Sequence, residues 1–245
     1  MPDLLPQPVL LLAGGPGRSP AFGPLLQPFF ADLPPEPAIA YIGAASGDDN
    51  PFLRWATSWL NAAGAGAVRL IPTVNPPTRD PAEWRRLLDP FPIIFINGGD
   101  VEEGMALLDQ CNLSNTLREL QAEGIRFLGL SAGSIMLSRE WVRWQDPEDP
   151  ESAERFPCLG IAPVFCDTHA EEDEWEELRA LLTLQAPGAI GYGIPSDGAL
   201  WVESAHKVQP LSKPAPVFRR ETGGIVTLPA LKERVDSLKH VTEAD

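Results

Sequence analysis

The sequence predicts an α/β protein: a three-layer sandwich with a largely parallel central sheet and a nucleophile elbow. Three observations carry that expectation. Short apolar runs alternate with helical patterns, the runs lack the polar alternation of half-exposed strands, and one of them ends in a serine set between glycines. Strand and helix in strict alternation imply βαβ units whose helices cover the sheet.

Taken in order, the predicted strands are Val9 to Ala13, Ala38 to Gly43, Ala67 to Ile71, Ile93 to Asn97 and Ile125 to Leu130. Predicted helices fall between them at Phe52 to Ala63, Pro81 to Leu88 and Val101 to Glu123, the last broken near Asn112 to Asn115. Pro-rich joints at Leu33 to Pro37 and Pro72 to Pro81 are surface loops, too short to separate domains. Beyond the serine the pattern changes: "SREWVRW" reads as a strand and "QDPEDPESAERFP" as an excursion. Strands resume at Ile161 to Phe165 and Ile190 to Ile194, so the second half should be mixed sheet, with a terminal helix near Leu231 to His240. No internal repeat is evident.

Size and composition narrow the function. With 245 residues, 44% of them hydrophobic, the chain suits one domain spanning 1–245. A formal net charge of -15 opposes non-specific attachment to nucleic acid or an anionic membrane, so neither is expected as a partner. The opening "MPDLLPQPVLLLAGG" lacks a basic leader and reads as a first core strand, and no apolar run is long enough to span a bilayer. A cytoplasmic protein is expected. Cys111, Cys158 and Cys166 cannot all pair and lack CxxC spacing, which indicates neither a disulfide framework nor a zinc cage.

The chemistry concentrates in four stretches. Gly129-Leu130-Ser131-Ala132-Gly133 fits a nucleophile elbow, in which a strand ends, the serine occupies a strained turn and small neighbours let a helix pack close. A hydroxyl placed there projects at the carboxyl edge of the sheet, with the Ala132 N–H free for an oxyanion. A bare GxSxG is equally compatible with an ordinary turn. "INGGD", Ile96 to Asp100, can offer backbone N–H groups of Gly98 and Gly99 at the same edge, or form a plain βα turn.

A serine hydroxyl needs a base. His169, directly after the predicted strand Ile161 to Phe165, ranks above His206 and His240, and lies at the edge with Ser131 if that strand is parallel. Thr168 and Glu171 read as a capping box, and the acids that follow suit a helix N-terminus and a solvated face. Cys166 and His169 form a lone C-x-x-H, a poor zinc site. Within "GYGIPSDGALWV", Asp197 is the candidate to orient the imidazole, Ser196 the alternative, and an Asx turn the plain reading.

Together GGD at Gly98 to Asp100, GLSAGS at Gly129 to Ser134, DTH at Asp167 to His169 and GIPSDGAL at Gly193 to Leu200 resemble the dipeptidase E and cyanophycinase family of serine peptidases, over about the first 200 residues. The resemblance implies a class I glutamine amidotransferase-like fold with serine at the elbow and no metal or organic cofactor. It implies Ser131 as nucleophile, His169 as base, Asp197 as acid, and Gly99 and Ala132 as the oxyanion hole. Two departures stand out. Where cyanophycinase-like members read like GIDENTAL, strict alignment puts Ser196 on the usual Glu and leaves Asp197 one residue later. Members that cleave after aspartate carry arginines in a DxHFxxRxR pattern, and here its phenylalanine and two arginine positions hold Ala170, Asp173 and Trp175.

The expected function is therefore a serine exopeptidase that hydrolyses short peptides through an acyl-enzyme without aspartate specificity, unless Arg54, Arg139 or Arg143 replaces the missing arginines. A homo-oligomer is compatible with the sequence. The rivals are an α/β-hydrolase-type esterase using Ser131, Asp197 and His206, and an inactive family member acting as a binding protein.

Overall fold

A computed structural model of the chain describes residues 5–14, 22–146 and 148–232. In chain order the first half gives β1 (Val9–Leu12), α1 (Phe22–Phe30), β2 (Ile39–Ile42), α2 (Asn50–Ala62), β3 (Val68–Leu70), α3 (Pro81–Leu88), β4 (Ile93–Ile96), α4 (Val101–Gln110), α5 (Ser114–Ala122), β5 (Arg126–Leu130) and α6 (Ala132–Leu137). The second half gives β6 (Glu140–Trp144), β7 (Ala153–Pro157), β8 (Phe165–Thr168), α7 (Glu176–Thr183), β9 (Ile190–Ile194), β10 (Ala199–Ser204), β11 (Lys207–Leu211), β12 (Ala215–Glu221) and β13 (Gly224–Leu231).

The central sheet has the order β11-β10-β1-β5-β4-β2-β3. Its five strands β1 to β5 run parallel, and β10 adds antiparallel beside β1, with Val9 opposite Val202. Every residue of β1, β2, β4 and β5 is buried, as their unbroken apolar runs require. Alternate side chains feed two cores. Leu10 and Leu12 pack with Phe22, Leu26 and Trp59 from α1 and α2, whereas Val9 and Leu11 share the other core with Trp84, Leu108, Leu117 and Met136 from α3 to α6. The result is the three-layer arrangement expected.

A second sheet, β13-β12-β9-β8, lies beyond α6. Its β8 and β9 are parallel, with Thr168 opposite Ile194, and β12 and β13 continue it antiparallel. Cys166, Tyr192, Ile194 and Val217 bring it into the same core as α3 to α6. The chain passes from this sheet to the central one between β9 and β10.

Several elements differ from expectation. The strand expected at Ile161 to Phe165 instead begins at Phe165 and belongs to the second sheet, because 161–164 is a bend whose N–H groups of Ala162 and Val164 bond Leu137 and Ala162 carbonyls. The excursion contains β7, paired with β6 from Glu140–Pro157 to Trp144–Ala153. Helix α1 has no counterpart among the predicted elements, because Pro24 and Pro28 disguise it, yet Phe22, Leu26 and Phe29 form a buried stripe. The predicted terminal helix fails at its start, since Leu231 ends a strand, and its remainder from 233 lies outside the described residues. Of the long helix, the break falls as expected, at 111–113.

Candidate active site

Ser131 stands between β5 and α6 with φ 52° and ψ −124°, a backbone conformation that L-residues seldom adopt. The surroundings hold it there. Its N–H donates to the Leu12 carbonyl at 2.9 Å, its carbonyl accepts the Ser134 N–H at 2.8 Å, and the buried Ser134 hydroxyl donates to the same Leu12 oxygen at 2.8 Å. Gly133 is required by contact: a Cβ there would run into the Ile96 carbonyl oxygen at the end of β4. The motif's small residues thus let α6 sit directly on the strand ends.

Gly98 and Gly99 follow β4 on the neighbouring strand end. Gly99 has φ 146° and lies against the Ala45 carbonyl, leaving no room for a side chain. Among the described residues neither its N–H nor that of Ala132 bonds a backbone carbonyl outside the regular elements. Asp100 both caps α4, accepting the Glu103 N–H at 2.8 Å, and lines the cavity beside them.

His169 directly follows β8 in a left-handed conformation, φ 44°, anchored by its N–H on the Ile194 carbonyl at 2.9 Å. Its Nε2 lies 2.8 Å from Ser131 Oγ. The serine comes from the central sheet and the histidine from the second. His206 is elsewhere: it sits on the β10–β11 turn and lines a different cavity with Arg139 and Tyr192. The esterase arrangement therefore lacks its base, and His240 lies outside the described residues.

The candidate acids stand on the β9–β10 connection. Asp197, φ 62°, donates its N–H to Gly14 at 2.7 Å, and its carboxylate is 3.9 Å from Lys213 Nζ. Ser196 is engaged by Glu171, whose carboxylate accepts the Ser196 N–H at 2.6 Å and its hydroxyl at 3.3 Å. Neither is hydrogen-bonded to His169. The Thr168–Glu171 capping box is overturned by the same contact: Glu171 reaches across to Ser196, and the helix starts only at Glu176, after left-handed Trp175.

Ser131 and His169 open onto a cavity of about 520 Å3 that Gly99 and Ala132 also line. The sequence of the chain from 9 to 209 matches the profile of Peptidase family S51. The chain belongs to peptidase family S51. No curated protein matches it. Among solved structures it is similar to a peptidase from an acI-B1 actinobacterium, at 18% identity and a TM-score of 0.70 over 95% of this chain and 97% of that one. It is also similar to a Listeria monocytogenes EGD-e protein described as a candidate peptidase E, at 16% identity and a TM-score of 0.63 over 84% and 98%. At those identities the two structures support the fold alone.

The rest of the cavity sets this S51 peptidase's electrostatics. Asp100, Asp167, Asp173, Glu176 and Glu177 line it, and no arginine or lysine does among the described residues. Arg143 is paired with Glu102 at 2.8 Å and Glu154 at 2.5 Å, Arg139 lies over the Phe165 ring, and Arg54 is an exposed residue of α2. Of the two positions where arginine is missing, Asp173 lines the cavity, as does Ala170 at the phenylalanine position, while Trp175 is buried against Gly193. Burial pushes Asp167 up to about 7, helped by the Glu177 and Asp173 carboxylates and opposed by backbone N–H groups. Burial likewise raises Glu177, against the hydrogen bond it accepts from Trp141 Nε1 at 2.7 Å.

Sequence reasoning gave the acids after Thr168 to a helix N-terminus and a solvated face, read Asp167 only as part of the DTH motif and Trp141 and Trp144 only as strand residues, and singled out none of these three as a cavity residue. The legible signal was Asp167 itself, a carboxylate inside the apolar strand "FCDT".

Proposed function

We propose that this S51 peptidase is a serine exopeptidase of short peptides, working through an acyl-enzyme in a single domain. The observation that supports it most is the 2.8 Å approach of Ser131 Oγ to His169 Nε2 beside unspent N–H groups. With the imidazole neutral and Nδ1 carrying its proton, the Ser131 hydroxyl donates to Nε2 and is poised to attack. As the Oγ–carbon bond forms, the proton passes to Nε2, and the carbonyl oxygen's charge meets the N–H groups of Gly99 and Ala132. The imidazolium returns that proton to the amine nitrogen as the C–N bond breaks. Water, deprotonated by His169, then releases the acyl group and restores the serine.

Asp197 is assigned the orienting role in preference to Ser196. The Ser196 hydroxyl is engaged with Glu171, whereas the 3.9 Å contact with Lys213 is loose enough for the Asp197 carboxylate to turn. Aspartyl peptides are poor substrates in this reading, because the cavity meets their carboxylate with like charge.

The test joins a fluorophosphonate probe to a peptide library. The probe is expected to modify Ser131 and to spare Ser131→Ala, and mass spectrometry of the digest should show trimming from one end. A wild-type protein that takes up no label and trims nothing would overturn the proposal.

A further inference from the structure

The mechanism above leaves the cavity's carboxylates without a task, and Asp167 and Glu177 are the two withdrawn from solvent. Asp167 is 4% exposed, its Oδ1 accepts the Thr168 N–H at 2.7 Å, and its Oδ2 has no hydrogen-bond partner among the described residues. It nevertheless lines the cavity that holds Ser131 and His169. A buried acceptor without a donor is a standing penalty that an entering donor removes. Glu177 stands on the same wall, on the first turn of α7, fixed through Oε2 by the Trp141 indole N–H at 2.7 Å. Trp144 lines the cavity as well.

We propose that Asp167, Glu177, Trp141 and Trp144 form a subsite for a positively charged nitrogen of the substrate, an ammonium or guanidinium group. The proposal rests on the peptidase reading and specifies its substrate class. A cation satisfies each feature of the wall. It donates to the unpartnered Oδ2, it relieves the repulsion between carboxylates that no lining lysine or arginine among the described residues neutralises, and it is attracted to indole faces. A neutral side chain can at most donate a hydrogen bond to Oδ2 and relieves no repulsion, and an acidic one adds to it. Asp173 and Glu176 at the cavity's rim extend the same field outward.

The nitrogen can come from the peptide's amino terminus or from a lysine or arginine side chain, and four matched peptides separate the sources. They carry lysine or norleucine before the scissile bond, each with a free or acetylated amino terminus. Removing the charge that enters the subsite is expected to lower kcat/KM about tenfold or more. A fall on exchanging lysine for norleucine assigns the side chain, and a fall on acetylation assigns the terminus. Asp167→Asn and Glu177→Gln should each shrink the charged-to-neutral ratio by about tenfold. If Asp167→Asn does not fold, Glu177→Gln carries the comparison. Calorimetry of the same peptides on Ser131→Ala reads the preference as affinity, without turnover, and so distinguishes failure of the subsite from failure of the peptidase reading. Four peptides bound and cleaved alike, or a ratio that neither variant moves, would overturn the assignment.

Discussion

Ser131 and His169 meet at one hydrogen bond, but the regions that present them are built differently. Around Ser131 everything is buried and tight: β1, β4 and β5 end together, Gly133 rests on the Ile96 carbonyl, and Ser134 is wholly enclosed. Around His169 the chain makes an exposed acidic turn from Ala170 to Trp175, with left-handed residues at His169, Glu174 and Trp175. The first region is fixed by close backbone approach and the second by a few polar contacts and one buried tryptophan. The contrast suggests a division of labour, with the reacting hydroxyl on a framework that tolerates little change and substrate choice on a turn free to vary.

The comparison breaks most directly at the histidine. His169→Ala is expected to lower kcat/KM by about a thousandfold or more, while His206→Ala stays within about twofold. Steady-state kinetics on one peptide decides, and the opposite ranking would mean that the second sheet does not supply the base.

Next comes the carboxylate that the second region buries. Because Asp167 titrates near 7 in the folded chain and lower when unfolded, the folded state holds the extra proton between about pH 4 and 7, and stability falls as pH rises through that window. The cost reaches about 4 kcal/mol above pH 7. Asp167→Asn should therefore gain stability at pH 8 and little at pH 4, measured by urea unfolding. A variant destabilised equally at both pH values would show that the buried charge is compensated.

The rigid region is tested through its glycines. Gly133→Ala is expected to cost about 3 kcal/mol by overpacking, whereas Gly223→Ala, with open space around it, should stay within about 0.5 kcal/mol. Equal thermal midpoints for the two would contradict the tight packing described. The smallest effect expected lies at the orienting residue. Asp197→Asn should reduce kcat about tenfold more than Ser196→Ala, since a carboxylate stabilises the imidazolium better than a hydroxyl. If Ser196→Ala is the more damaging, the orienting role moves to that position.

The same contrast governed what the sequence revealed. Strands such as "VLLLA" and "IIFIN" were legible because burial on both faces forces an unbroken apolar run, and the elbow because close packing forces its glycines. The pairing of Ser131 with His169 was legible from motifs, but its geometry was not: β8 joins a separate sheet, and nothing in "APVFCDTH" announces which sheet a short strand will enter. Glu171 was misjudged because a capping box and a long-range bond to Ser196 look identical in one dimension. Helix α1 shows the reverse error, where prolines outweighed a buried stripe that only the facing α2 makes decisive.

The β9–β10 connection has a mechanical consequence. It is one short stretch of backbone passing from one sheet to the other, and the residues it joins lie within a hydrogen bond of His169 on one side and of Gly14 on the other. The two sheets are thus coupled at the point where their side chains react. Any loosening that draws the second sheet away lengthens the Ser131–His169 contact while β1 to β5 remain paired. Heat or denaturant would then extinguish turnover ahead of the bulk unfolding signal, making this contact the fuse of the molecule.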